Sequence, residues 1–379
     1  MHLEHMPELR INDLIVKKPI IQGGMGVGVS MSGLASAVAN EGGIGVISSI
    51  GLGLLDEHPD KNFKKGNHIA LQREIHEARS LTNGILGINI MVAISDYDDL
   101  LTLAYDEGID IVFLGAGLPL KFPEKITADR LKHSHTKTAV IVSSGRAAQL
   151  IFQTWQKKYD HAPDMVVVEG PKAGGHLGFK KEQISDPDYA LELLVPDVIQ
   201  VVHKFETLFE KNIPVIAAGG IYSGADIFKF LEMGAQGVQM GTRFVATHEC
   251  DASLEFKQSY IDCTEDDITI IVSPVGLPGR AIRNKFLDEV SAGERKPFKC
   301  PWKCLKTCEF KQAPYCIAKA LTNAQKGIME EGYTFAGSNA YRVEEIVSVK
   351  TLFESLEQEY SKAATDFLNE QLITSKIAV

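Results

Sequence analysis

The sequence has no excess of positive charge: its 379 residues carry a formal net charge of −10 and an isoelectric point near 5.6. A chain of that sign does not neutralise a phosphate backbone or an anionic membrane surface, so nucleic acid and membrane are excluded as partners. It also lacks an uninterrupted apolar run of about 20 residues, the length a membrane-crossing helix needs. Met1 to Pro7 shows no basic stretch followed by an apolar segment, which predicts a soluble cytoplasmic protein. Cysteine is sparse at six residues. Without a secretion signal these read as reduced thiols or a metal site, not a disulfide framework. A further absence concerns dinucleotides. The glycines from Gly23 to Gly28 miss the G-x-G-x-x-G spacing, and the second apolar run ends in Ser48-Ser49 where an acidic residue would be needed. The open doubly wound sheet is therefore set aside.

What is present is a repeat of short apolar runs and helical spacings. The runs are Pro19–Met25, Gly42–Ser49, Ile85–Met91, Ile109–Leu114, Thr138–Ser143, Met165–Val168, Pro214–Ala218 and Gly237–Gly241. Helices are predicted after them over Ser30–Glu41 (capped by Ser30 or Ser32), Asn67–Arg79, Asp96–Glu107, Gly145–Lys158, Tyr189–Phe209 and Ser223–Met233, with a looser segment through Leu131. Strands apolar nearly throughout, each followed by a helix, predict an α/β fold with a closed parallel (β/α)8 TIM barrel. The chain is longer than the roughly 250 residues of one barrel. The expected division is a barrel over 1–245, a smaller domain over 246–335 inserted between the last strand and the last barrel helix, and C-terminal helices over 336–379. The insert is rich in charges, prolines and short helical stretches, and it is expected to cover the substrate side.

Chemistry concentrates at the strand ends. Val168-Glu-Gly-Pro-Lys-Ala-Gly-Gly-His-Leu-Gly178 places His176 at the C-terminal mouth of the sixth strand, where barrel active sites collect. A turn histidine satisfying a nearby carbonyl would give the same local pattern. Ala218-Gly-Gly-Ile221 and Met240-Gly-Thr-Arg243 are glycine turns after the seventh and eighth strands, where such barrels bind a phosphate. With glycine-rich first and sixth loops, that pair points to a mononucleotide, and FMN fits best.

Ile21-Gln-Gly-Gly-Met25, Gly87-Ile-Asn-Ile-Met91, Glu169 with Ala173-Gly-Gly-His176, Ala217-Ala-Gly-Gly-Ile221 and Gln239-Met-Gly-Thr-Arg-Phe244 together resemble the nitronate monooxygenase (2-nitropropane dioxygenase-like) family. Gly279-Arg-Ala-Ile-Arg-Asn284 is similar to that family's accessory motif, and the likeness covers roughly residues 15 to 350. The resemblance implies non-covalent FMN and His176 as the catalytic residue. It puts Gln22, Gly23, Gly24, Met25, Asn89, Glu169, Gly174, Gly175, Gly219, Gly220, Gln239, Met240, Gly241 and Thr242 at cofactor positions. It implies oxidation of alkyl nitronates with O2. The same ordered motifs occur in flavin-dependent, NAD(P)H-using enoyl-acyl-carrier-protein reductases and in NADH:quinone reductases, and those reactions stay open. So does a flavin-binding electron-transfer partner without turnover, and so does a homodimer. One departure bears on substrate choice: Lys172 stands where the family usually carries an acidic residue.

Cys300, Cys304, Cys308 and Cys316 fall within one short, locally basic segment. Spacing by four would align three of them on a helical face, but the C-x2-C repeat of strong zinc or iron–sulfur motifs is missing. The expectation is buried reduced cysteines and no metal. The basic stretch Lys296–Lys311 reads as a solvated face or as a surface for a phosphate or carrier protein.

Overall fold

The computed structural model describes residues 5–300, 302–306 and 308–377, with the side chains of the last helix described through residue 372. The first residues of the N-terminal stretch read above lie outside these, as do Pro301 and Thr307 of the cysteine segment. Eight parallel strands form the barrel: β1 Ile20–Gln22, β2 Gly45–Ser48, β3 Leu86–Met91, β4 Ile111–Gly115, β5 Lys137–Val142, β6 Met165–Glu169, β7 Val215–Ala218 and β8 Gly237–Met240. Each pairs with its neighbour in sequence, and β8 pairs with β1. Between β1 and β2 the ladder shrinks to a bridge at Ile21 and Ile44. There the Gln22 side chain takes over, its Oε1 accepting from the Val46 N–H at 3.0 Å and its Nε2 donating to the Val46 carbonyl at 3.2 Å. A side-chain amide thus stands in for the missing peptide group.

Alternation along the strands separates two cores. Ile21, Val46, Ile111, Phe113, Ala139, Met165, Val167 and Ile216 fill the barrel interior, joined by Leu9, Ile11 and Val16 of an N-terminal hairpin, Leu9–Ile11 with Leu14–Val16. Ile20, Ile47, Ile88, Val112, Val140, Val166, Ala217 and Val238, the residues between or beside these, face outward to the helices. The hairpin closes the end of the barrel opposite the strand C-termini, and the sequence pattern had not marked it as structure. Gly87 shows how tight the interior is: a Cβ there would lie 2.6 Å from the Phe113 ring.

The helices are α1 Ser32–Asn40, α2 Phe63–Leu81, α3 Tyr97–Asp106, α4 Ala128–His133, α5 Gly145–Tyr159, α6 Leu191–Phe209, α7 Gly224–Glu232 and α8 Val349–Ile377. α8 packs against both α7 and α1 and so fills the eighth outer position. Its Glu359 accepts from the Gly224 N–H at 2.6 Å, and Phe228 stacks edge-on against Tyr360 and Phe367. The expected serine cap of α1 is replaced. The carboxylate of Asp251, more than two hundred residues away, accepts from the backbone N–H groups of Met31, Gly33 and Leu34. Free N–H groups at a helix start take any well-placed oxygen, and the chain beyond β8 supplies it.

Residues 246–348 run between β8 and α8. They contain helices Leu254–Asp262, Lys285–Ser291 and Ile317–Gln325, and an antiparallel hairpin, Ile268–Val272 with Pro278–Ile282. The sequence pattern marked the short helical stretches there and not the hairpin. Among the described residues no helix is long and apolar enough to cross a membrane.

Candidate active site

The C-terminal ends of the strands open into a cavity of about 600 Å³, well within the range of a cofactor site. Its walls combine barrel loops with the segment beyond β8: Phe256, Tyr260, Leu277, Cys304 and Phe335 face it from the latter. Of the residues singled out in the sequence, Gly23, Gly24, Met25, Asn89, Glu169, Gly174, Gly175, His176, Gly219, Gly220, Gln239, Met240, Gly241 and Thr242 all line it. Gln22 does not. It is fully buried in the barrel seam described above, where its side chain bonds Val46.

His176 is positioned by two elements. The sixth loop carries it in a short strand, Gly175–His176, that pairs antiparallel with the inserted hairpin, Gly279 opposite His176 and Arg280 opposite Gly175. The Leu177 N–H donates to the Pro278 carbonyl at 2.9 Å. The ring then meets Ser273 across 2.8 Å from Nε2 to Oγ and packs edge-on against Phe335 at 5.0 Å between centroids. Burial without a neighbouring anion pulls its pKa down to about 4, so the imidazole is neutral at pH 7. The serine hydroxyl can accept from Nε2–H or donate to Nε2, so either tautomer is accommodated, and Nδ1 is free to act as base or as donor. Ser273, 3% exposed, was not marked by the sequence, because no local pattern ties a serine in a distant hairpin to the sixth strand.

Arg280 fixes the same loop from below. It is buried and donates to the carbonyls of Pro171 and Ala173 at 2.6 and 2.7 Å, and burial lowers its pKa to about 10. Glu169, at the end of β6, lies deep in the cavity wall, and loss of water pushes its carboxyl up to about 7. A neutral histidine and a half-protonated carboxyl therefore share one cavity near neutral pH.

The glycine turns after β7 and β8 lie in the cavity wall. Gly219 and Gly220 hold φ of 89° and 96°, values that disfavour any side chain, and a Cβ on Gly220 would lie 2.9 Å from the Lys172 side chain. At Gly23, Gly175 and Gly241 the nearest atoms to a built Cβ are 3.4 to 4.0 Å away, ordinary contact distances, so a Cβ alone would not clash there. Two residues that the sequence did not mark lie beside these turns. Asn339 donates to the Gly220 carbonyl at 2.8 Å. The Ser338 hydroxyl is buried in the cavity wall with no hydrogen-bond partner among the described residues. An orphaned hydroxyl, a lysine and two glycine turns together suit a phosphate, and the residues present fit a flavin mononucleotide.

A profile of the family described as nitronate monooxygenase matches residues 8–359. A probable nitronate monooxygenase of Staphylococcus aureus (strain Newman) is 29% identical over 309 residues, covering 74% of this chain and 79% of that protein. A (3aS,4S,5R,7aS)-5-hydroxy-7a-methyl-1-oxo-octahydro-1H-indene-4-carboxyl-CoA dehydrogenase of Mycobacterium tuberculosis is 29% identical over 280 residues, covering 74% of this chain and 67% of that protein. Among solved structures, FabK from Thermotoga maritima superposes with a TM-score of 0.72 at 28% identity, covering 93% of this chain and 95% of that one.

Proposed function

Because the chain belongs to the nitronate monooxygenase family, we propose that it is an FMN-dependent oxidoreductase that oxidises alkyl nitronates with O2. The observation that carries this reading is the neutral His176 imidazole, held by Ser273 at the mouth of a glycine-lined cavity. Bound flavin would supply the electron chemistry. The Gly219-Gly220 and Gly241-Thr242 turns, with Lys172 and Ser338, would hold its phosphate, and Asn89, Glu169 and Gln239 its ring system.

The chain's own contribution is positioning and proton handling. Ser273 and Phe335 fix the plane of the His176 ring, and Phe256, Tyr260 and Leu277 line the same cavity. There Nδ1 of a neutral imidazole would take the acidic α-proton of a nitroalkane, or donate a hydrogen bond to the nitro oxygens of a nitronate. His176→Asn should keep the flavin, which is held mainly by backbone and the phosphate cradle, and should lose turnover by about 10²-fold or more.

A second reading, an NAD(P)H-dependent reductase of enoyl thioesters, is favoured by the likeness to FabK and to a carboxyl-CoA dehydrogenase. One experiment separates the two. The purified protein is mixed anaerobically with propionate 3-nitronate, with NADH, or with NADH followed by a crotonyl thioester, and flavin absorbance is followed. Bleaching by the nitronate and recovery with O2 supports the first reading. Bleaching only by NADH, with recovery on the thioester, replaces it with the second.

A further inference from the structure

The four cysteines from Cys300 to Cys316 do not lie on a helix face: the described residues between Cys300 and Cys308 form irregular loop. They nonetheless converge. Cys300, Cys304, Cys308 and Cys316 line a second cavity, of about 290 Å³, together with Lys303 and Lys306, and no carboxylate lines it among the described residues. Their electrostatic reach agrees, since Cys316, Cys300 and Cys308 each raise the thiol of Cys304, which burial and these neighbours push up to about 12. None of the six cysteines is in a disulfide.

No three His, Cys, Asp or Glu among the described residues already stand at the spacing of a single bound ion. Four thiols walling one space, with no carboxylate or imidazole among its described lining, suit a centre built on cysteine sulfur. Charge points the same way, because such a centre with four thiolates is an anion and two lysines face it. So do the N–H donors. The Lys303 N–H donates to the Cys300 sulfur at 3.4 Å, and Cys316 stands at the N-cap position of helix Ile317–Gln325. Hydrogen bonds to sulfur are among the features that tune iron–sulfur centres.

We propose that Cys300, Cys304, Cys308 and Cys316 ligate an iron–sulfur cluster of the [4Fe–4S] type. Its place in the fold is next to the main cavity. Cys304, Leu305 and Ile317 line both spaces. The segment is also tied to the loop after β3: the Ser95 N–H donates to the Cys304 carbonyl and the Lys306 N–H to the Ala93 carbonyl, both at 3.0 Å. Electron exchange with the flavin would follow from this shared wall and rests on the flavin reading. Cluster binding does not.

The test is anaerobic reconstitution of the purified protein with ferric iron, sulfide and dithiothreitol, the thiol reducing half of the iron, followed by desalting and assay of iron, acid-labile sulfide and flavin per chain. About four iron and four sulfide per chain are expected, with a low-temperature electron paramagnetic resonance signal after dithionite reduction. Cys308→Ala, which lines the cysteine cavity and not the main one, should reduce iron to less than half with flavin unchanged. Cys300→Ala, at a partly exposed position, should do the same and guards against a folding defect of the first variant. Cys263→Ala, outside the cluster, should leave iron at the parent level. One zinc per chain in place of iron, no retained metal after reconstitution, or full iron in both cluster variants overturns the proposal. A protein that takes up iron and sulfide yet binds no flavin overturns the flavin reading and leaves the cluster standing.

Discussion

His176 of the sixth barrel loop and Ser273 of the inserted hairpin meet at 2.8 Å, although 97 residues separate them in the chain. The candidate catalytic group is thus aimed by a residue outside the barrel. Ser273→Ala removes one hydrogen bond worth about 1 kcal/mol from the orientation of the ring. A loss of roughly five-fold in kcat with KM and flavin content unchanged is expected, while Ser273→Thr, which keeps the hydroxyl, should recover most of the rate. Steady-state kinetics on the three proteins decides. Parent-like kcat in the alanine variant would remove the orienting role.

Glu169 makes stability depend on pH in a defined direction. Its folded-state pKa, about 7, lies above the ordinary 4.5. Below 4.5 both folded and unfolded chains hold the proton and the buried carboxyl costs nothing in this respect. As pH rises from 4.5 to 7 the unfolded chain releases its proton first, so stability is lost across that window and then levels off. Urea midpoints of the flavin-free protein at pH 5 and pH 8 should show a larger fall for the parent than for Glu169→Gln. Equal falls would mean that the carboxyl is already ionised in the folded state.

Lys172 lies against the Gly220 turn and lines the cavity. If a phosphate occupies that turn, Lys172→Glu should weaken flavin binding by about ten-fold or more at low salt, and the gap should narrow as ionic strength screens the charge. Lys172→Arg should bind nearly as the parent does. Fluorescence titration of the flavin-free proteins measures this, and identical affinities for the glutamate and parent proteins would move the phosphate elsewhere.

Gln22→Ala should act on stability and not on the cofactor. The variant leaves the Val46 N–H and carbonyl buried without partners, a cost of about 2–4 kcal/mol that a urea transition would show. Flavin stoichiometry of the folded fraction should stay at the parent level, and a colourless but equally stable variant would return Gln22 to the cofactor site.

The barrel was legible because a parallel strand covered on both faces is apolar throughout, and eight such runs with intervening helical spacings leave few other architectures. The glycine turn after β7 was legible for a local reason: Gly219 and Gly220 both hold a positive φ that favours glycine. Gln22 was grouped with the glycines beside it, which do line the cavity, because sequence adjacency does not show that successive strand residues face opposite ways. Ser273, Ser338 and Asn339 were invisible, since their roles come from tertiary pairing of Gly175–His176 with Pro278–Ile282 and from the Asn339–Gly220 contact. Periodicity of four promised a helix at Cys300–Cys308. The loop there achieves convergence by tethering to residues 93 to 95, which spacing alone cannot reveal.

The position of α8 and of the inserted hairpin sets the order in which this enzyme can be assembled on a ribosome. All eight strands have been translated once Met240 is made, yet α1 still lacks its Asp251 cap, the gap between α7 and α1 awaits Val349–Ile377, and the sixth loop has no strand to pair with. A nascent chain at that stage exposes apolar helix faces and an unshaped cavity. Cofactor capture must then wait until α8 is made, and a chain truncated before α8 would be a substrate for chaperones and proteases, not a smaller working barrel.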